Sequence, residues 1–188
     1  MEEYRIEDKA KSLIGGWFID TSMCDMLIDE YYKNSKYASW DNLRKYSRLN
    51  DSQIDAAVVE QYVVHLKSCI EMYKDKYHWC VKSNEPWAIT QPINLQLFKP
   101  GDAYSLQHIE SGGPQKGKLQ RHLTFMTYLN DVNDGGQTEF EYQNILVQPK
   151  KGLTLVWPAV WTHPHRGIPA ISEDKFIMTG WCSFFHRC

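Results

Sequence analysis

The hydrophobic period of this chain changes once, at Asn84-Glu85-Pro86, and that change decides what each part can fold into. Before it, apolar residues recur at helical spacing in two places. Ser22, with Asp25 three positions on, resembles a capping box, after which Met23, Leu27, Ile28 and Tyr31 share one face. Ser52 and Asp55 repeat the start signal, and from Ile54 the positions Val58, Tyr62, Leu66, Cys69, Ile70 and Tyr73 predict a helix of about six turns. Residues 15–20 form a short apolar stretch with strand character, and the polar, aperiodic residues 33–51 predict a loop. After the change, short strands separated by turns are expected at 93–99, 103–110, 121–129, 137–142, 145–149, 153–158, 162–166 and 175–185. Eight such strands suggest a double-stranded β-helix (jelly roll) or a similar double-sheet barrel. The expected fold is therefore mainly β with N-terminal helices (α+β), two long helices bracing one outer face of the sheet.

A length of 188 residues suits one domain, 1–188, with residues 1–92 as helical support and 93–188 as the jelly-roll core. The formal charge of -2, with both signs interspersed, offers no basic stripe for a nucleic-acid backbone. The N-terminal Met-Glu-Glu-Tyr-Arg lacks a signal-peptide pattern, and the longest greasy run, 153–161, is too short to span a bilayer, so a soluble cytoplasmic protein is expected. Cys24, Cys69, Cys80, Cys182 and Cys188 are scattered and form no CxxC pair, which argues against a disulfide scaffold and a zinc knuckle alike.

The chemistry concentrates in Tyr104-Ser-Leu-Gln-His-Ile-Glu110. In a strand, side chains two apart project to the same face about 7 Å from one another, so His108 and Glu110 can converge on one metal ion. A third ligand from a distant strand would complete two imidazoles and one carboxylate on a single face of an octahedron, which leaves three positions open, the pattern of non-haem Fe(II) oxygenases. Of the other histidines, His65 lies in the long helix, His122 and His186 lie in strand patterns without an acidic neighbour, and His78 has no such context. His163 and His165 share one parity in Trp161-Thr-His-Pro-His-Arg-Gly-Ile-Pro169, and periodicity does not separate them. Lys175 leads into an apolar strand, where a lysine either snorkels or holds an anion. Beside a metal-binding face, its ammonium can hold the far carboxylate of a dicarboxylic cosubstrate whose other end chelates the metal.

Together these residues resemble the Fe(II)/2-oxoglutarate-dependent dioxygenases, within them the prolyl 4-hydroxylase-like branch and its small phage-type members. The resemblance covers about residues 93–185. It is carried by Pro100-Gly101, Tyr104, His108 and Glu110; by Arg121, Thr124, Tyr128, Leu129 and Asn130; and by Gly135, Gly136, Thr138 and Phe140. The distal histidine of that branch stands four residues before a proline and ten before the basic residue, and counting back from Pro169 and from Lys175 both give His165.

The resemblance implies Fe(II) on His108, Glu110 and His165, and 2-oxoglutarate held by Lys175 with Tyr128 and Thr179 as supporting donors. It also implies O2 as oxidant, allows ascorbate, and gives Arg121, Arg166 and Trp181 a place facing substrate. The implied reaction is hydroxylation of a prolyl or other amino-acid side chain, in a peptide or a small molecule, as 2-oxoglutarate is decarboxylated to succinate. The glutamate stands where most prolyl hydroxylases have aspartate. Two alternatives stay open: a cupin-like metalloenzyme that does not use 2-oxoglutarate, and a non-catalytic jelly-roll binding module. The helices and the loop of residues 111–120 are expected to shape access.

Overall fold

The computed structural model describes residues 12–82, 85–112 and 120–185. In chain order these form β1 (Gly15–Phe18), α1 (Thr21–Asn34), β2 (Ser39–Asp41), β3 (Tyr46–Asn50), α2 (Ala56–Lys76), β4 (Trp87–Ile89), β5 (Asn94–Phe98), β6 (Arg121–Tyr128), β7 (Thr138–Phe140), β8 (Ile145–Val147), β9 (Leu153–Pro158), β10 (His165–Gly167) and β11 (Lys175–Phe184). His186 and most of the 111–120 loop, expected to bear on access, lie outside the described residues.

Both helices start one signal away from where the sequence places them. Asp20, not Ser22, caps α1 by accepting from the Ser22 amide at 2.9 Å, and Asp55 caps α2 by accepting from the Ala57 amide at 2.8 Å. A short aspartate before the first turn meets one of the four orphan amides as well as a serine does, so two cap residues a few positions apart cannot be told apart by type. Each helix turns an apolar stripe inward. Met23, Leu27 and Tyr31 of α1, with Tyr62, Leu66, Cys69, Ile70 and Tyr73 of α2, pack with Leu95, Phe125, Val156 and Met178 of the sheet.

The major sheet is antiparallel throughout, in the order β1-β9-β6-β11-β5-β3-β2, with β4 also paired to β11; β10-β7-β8 form a second sheet. Neither closes into a barrel. Alternation along β11 shows the division of labour: Phe176 and Met178 face the helices, whereas Lys175, Ile177 and Thr179 face the second sheet. A smaller apolar cluster, with Met126, Leu155, Trp157 and Ile177 from the major sheet and Phe140 and Val147 from the minor one, joins the two sheets beneath the cavity between them.

Two expectations are corrected. Residues 33–51 are not a loop: β2 and β3 form a hairpin whose second strand pairs with β5. Its pattern misleads because only Tyr46 and Leu49 bury apolar surface, three positions apart on opposite faces, while Arg48 turns toward a polar cavity. The 1–92 segment expected as helical support thus also supplies β1 to β4. Residues 103–110 are not a regular strand, since among the described residues their only bridge is His108 with His165. No described helix is long and apolar enough to cross a membrane.

Candidate metal centre

Backbone pairing brings the two histidines together across 57 residues. The His108 amide donates to the His165 carbonyl and the His165 amide to the His108 carbonyl, each at 3.0 Å. The same extended segment is pinned on either side, by Gly167 N–H to the Tyr104 carbonyl at 2.8 Å and by Glu110 N–H to the Ala159 carbonyl at 3.1 Å. It therefore keeps the extended geometry that projects His108 and Glu110 to one side, without a full ladder. The Tyr104 ring stacks on the His108 imidazole with centroids 3.9 Å apart.

Hydrogen bonds then fix the tautomers. The Nδ1 of His108 faces the Leu106 carbonyl at 2.8 Å, and the Nδ1 of His165 faces the His163 carbonyl at 3.0 Å. A carbonyl only accepts, so each Nδ1 carries the proton and each Nε2 keeps a lone pair. Both Nε2 atoms lie 3.5 Å from Glu110 Oε1. Three donor atoms within 4.8 Å of one another, two neutral imidazoles and one carboxylate oxygen, fit a divalent transition metal at ordinary bond lengths.

The other carboxylate oxygen is engaged from behind. Arg121 Nη1 donates to Glu110 Oε2 at 3.1 Å and the Trp181 indole N–H donates to it at 3.0 Å. Arg121 is oriented in turn: it lies 3.3 Å over the Trp181 ring and donates twice to Gln91 Oε1, at 2.9 and 3.1 Å. Burial works to raise the Glu110 carboxyl, yet hydrogen bonding and charge from His108 and His165 outweigh it and hold the group well below the usual carboxylate range. Arg121 and Trp181, expected to face substrate, line the cavity and also donate to the Glu110 carboxylate. The pairing arises from strand register, with Arg121 opposite Ser183 and Trp181 opposite Thr124 on adjoining strands, and no spacing in the sequence signals it.

His163 is excluded by position. It is 2 % exposed, its Nε2 donates to the Ser12 carbonyl at 2.9 Å, and its Nδ1 accepts from the Thr162 hydroxyl at 2.8 Å. Both nitrogens are satisfied on the far side of the chain.

Lys175 enters the same cavity, which has a volume of about 280 Å³. Its ammonium donates to the Gly136 carbonyl at 2.6 Å between the Phe98 and Tyr128 rings. Gly135 and Gly136 both have φ near +75°, and a Cβ on Gly135 would collide with the Pro169 carbonyl, so only glycine allows the turn that presents the Gly136 carbonyl here. Burial pulls Lys175 down from its ordinary value to about 7. Thr179 lines the cavity but donates to the Phe125 carbonyl at 2.9 Å. The Tyr128 hydroxyl donates to Thr138 Oγ1 at 2.6 Å, which places it behind the cavity wall that Thr138 forms. Arg166 lies at the rim, paired with Glu139. Sequence reasoning missed Gln91, Arg44, Arg48 and Gln96; none belongs to a motif.

Comparison with known proteins agrees with this geometry. Residues 94–183 match the family described as the 2OG-Fe(II) oxygenase superfamily. A PKHD-type hydroxylase of Hyphomonas neptunium is 31% identical over 96 residues, 48% of this chain and 42% of that protein. The chain spans less than half the length of the curated relatives it matches. Among solved structures, the viral collagen prolyl hydroxylase of Paramecium Bursaria Chlorella virus-1, as its 2OG complex, superposes with a TM-score of 0.69 at 19% identity, covering 90% of this chain and 95% of that one. A Pseudomonas putida prolyl-4-hydroxylase gives 0.68 at 18% identity, covering 93% of each chain. At such identities the likeness shows a shared fold, the jelly-roll core of the prolyl hydroxylases.

Proposed function

Because residues 94–183 form a domain of the 2OG-Fe(II) oxygenase superfamily, we propose that the chain is an Fe(II)/2-oxoglutarate-dependent dioxygenase that hydroxylates an amino-acid side chain, prolyl or other. The observation that carries the reading is the convergence of His108 Nε2, His165 Nε2 and Glu110 Oε1 in the cavity that Lys175 also enters. Bound iron, 2-oxoglutarate and O2 would supply the oxidising chemistry, with succinate and CO2 as by-products.

The chain's own residues orient and shield. Carbonyl-anchored imidazoles present lone pairs on one side of the metal position, and the Arg121–Trp181 pair holds Oε2 of Glu110 so that Oε1 is the oxygen offered. Lys175 is suited to the distal carboxylate of 2-oxoglutarate: a carboxylate arriving at a buried ammonium gains a charge-assisted bond where Gly136 now supplies a neutral one. Trp157, Met126 and Ile177 give the space between apolar walls.

The test is anaerobic titration of the Fe(II)-loaded protein with 2-oxoglutarate. Bidentate chelation should produce a weak visible charge-transfer band that Lys175→Ala shifts to much higher 2-oxoglutarate concentration. Iron binding without any such band would favour the metalloenzyme that does not use 2-oxoglutarate, and failure to bind iron would favour the binding module.

A further inference from the structure

Five cationic side chains line the cavity: Arg44, Arg48, Arg121, Arg166 and Lys175. Arg44 pairs with Asp41 at 2.7 Å, Arg121 with Glu110 at 3.1 Å and Arg166 with Glu139, while Lys175 is the anchor assigned to 2-oxoglutarate above. Arg48 has no ion pair and no side-chain hydrogen bond among the described residues. Asp102, which with Glu110 makes up the carboxylates of the lining, forms no ion pair with it either.

The residue beside Arg48 is in the same condition. Gln96 is its partner in the β3–β5 register and pairs on its other side with Ile177 of β11. It is 8 % exposed, lines the cavity and makes no side-chain hydrogen bond among the described residues, yet its polar atoms are not sealed from the cavity space. Leaving a buried amide unmet is costly, and cross-strand neighbours are close enough to serve one small ligand. A guanidinium fork beside an amide N–H is a donor set for a carboxylate. That carboxylate is distinct from the tail of 2-oxoglutarate, because Lys175 stands in the adjacent row, opposite Phe98.

We propose that Arg48 and Gln96 recognise a carboxylate on the substrate, so that the site takes acid-bearing amino-acid compounds rather than a neutral internal residue of a peptide. The proposal rests on the oxygenase reading. The carboxylate has two possible sources, the α-carboxyl of a free amino acid or peptide C-terminus, and an acidic side chain beside the target residue.

The experiment uses the full chain loaded with Mn(II) and saturated with N-oxalylglycine, a non-reacting stand-in for 2-oxoglutarate, after Fe(II)-loaded protein from the same preparation has shown the 2-oxoglutarate charge-transfer band. A failure here therefore leaves the metal and cosubstrate reading standing. The probes, followed by calorimetry, are free L-proline, other free L-amino acids and N-acetylated amino acids, each beside its α-amide, and terminally blocked Pro-Asp and Pro-Glu peptides, each beside its side-chain amide, the Pro-Asn or Pro-Gln peptide. At least one carboxylate probe should bind roughly 10- to 100-fold more tightly than its amide. Arg48→Met should erase that difference, Gln96→Leu should reduce it, and both should keep the charge-transfer band, which shows that they fold. Preference for free amino acids identifies the α-carboxyl, and preference for blocked acidic peptides identifies the side chain. Equal binding of acids and amides, binding of no carboxylate probe, discrimination unchanged in Arg48→Met, or an equal loss of 2-oxoglutarate affinity in that variant would each overturn the proposal.

Discussion

Raising the pH should weaken 2-oxoglutarate binding at Lys175 while leaving the metal ligands in place. The ammonium is buried, its partner is the Gly136 carbonyl, and the groups against it on β5 and β6 are the Phe98 and Tyr128 rings. No carboxylate faces it among the described residues, since neighbouring Asp174 pairs with Lys99 and Glu173 with Asn133. Burial alone therefore sets its value of about 7 in the ligand-free protein. A bound carboxylate restores the charged form, so binding takes up a proton wherever the free lysine has lost one. With half of the lysine charged at pH 7 and about one per cent at pH 9, affinity should fall roughly 50-fold across that window, about 2.3 kcal/mol. In the ligand-free chain the sign reverses. Between about 7 and the ordinary 10.5 the unfolded state holds a proton that the folded state has released, so stability rises with pH by up to about 1.4 kcal/mol per unit. Calorimetry of the Mn(II) protein in buffers of differing ionisation enthalpy should show uptake of about half a proton at pH 7 and nearly one at pH 8.5. Flat affinity from pH 7 to 9 with no proton uptake would refute the assignment of the anchor to a neutralised lysine.

Three further outcomes separate the roles of neighbouring residues. His165→Ala should abolish metal binding, whereas His163→Ala should keep the metal and lower Tm, because it strands the Ser12 carbonyl and the Thr162 hydroxyl; a metal titration beside a thermal melt reads both. Arg121→Met or Trp181→Phe should weaken metal binding by about 10- to 100-fold, the usual cost of losing a partner that orients a ligand, and unchanged affinity in both would remove them from the centre. Tyr128→Phe should cost about 1 kcal/mol of stability for the lost bond to Thr138 and leave 2-oxoglutarate affinity within about twofold; a tenfold loss would return the hydroxyl to the cosubstrate.

What the sequence made legible was whatever repeats or stands at a fixed spacing. The long helix, the strand-rich core and the His108–Glu110 pair come from such patterns, while His165 is separated from His163 only by the family resemblance, and the structure brings the three side chains together. What stayed hidden depended on pairing. Residues 103–110 alternate like a strand, but only a single bridge to His165 forms, because the segment runs past a three-residue partner rather than along a sheet. The β2–β3 hairpin was invisible because its cavity face is polar, and a polar inward face reads as loop when cores are assumed apolar. Arg121 and Trp181 line the cavity as well, but nothing local to either residue reveals that they share Glu110.

That shared contact also accounts for the glutamate where an aspartate is usual. Oε1 must stand 3.5 Å from both imidazole Nε2 atoms while Oε2 meets Arg121 and Trp181 at 3.1 and 3.0 Å. The two tasks lie on opposite sides of one carboxylate, between an extended segment pinned to Ala159 and β10 and a guanidinium–indole stack on β6 and β11. An aspartate on the same backbone would retract the carboxylate by about one methylene, and so would lose either the imidazole side or the Arg121–Trp181 side. The backbone cannot follow, because the Glu110 amide is held by the Ala159 carbonyl and the Glu110 carbonyl by Arg121 itself. The longer side chain is therefore matched to a centre whose supporting cation sits on the sheet, and Gln91, by accepting two of the guanidinium's bonds, fixes how far that cation can move.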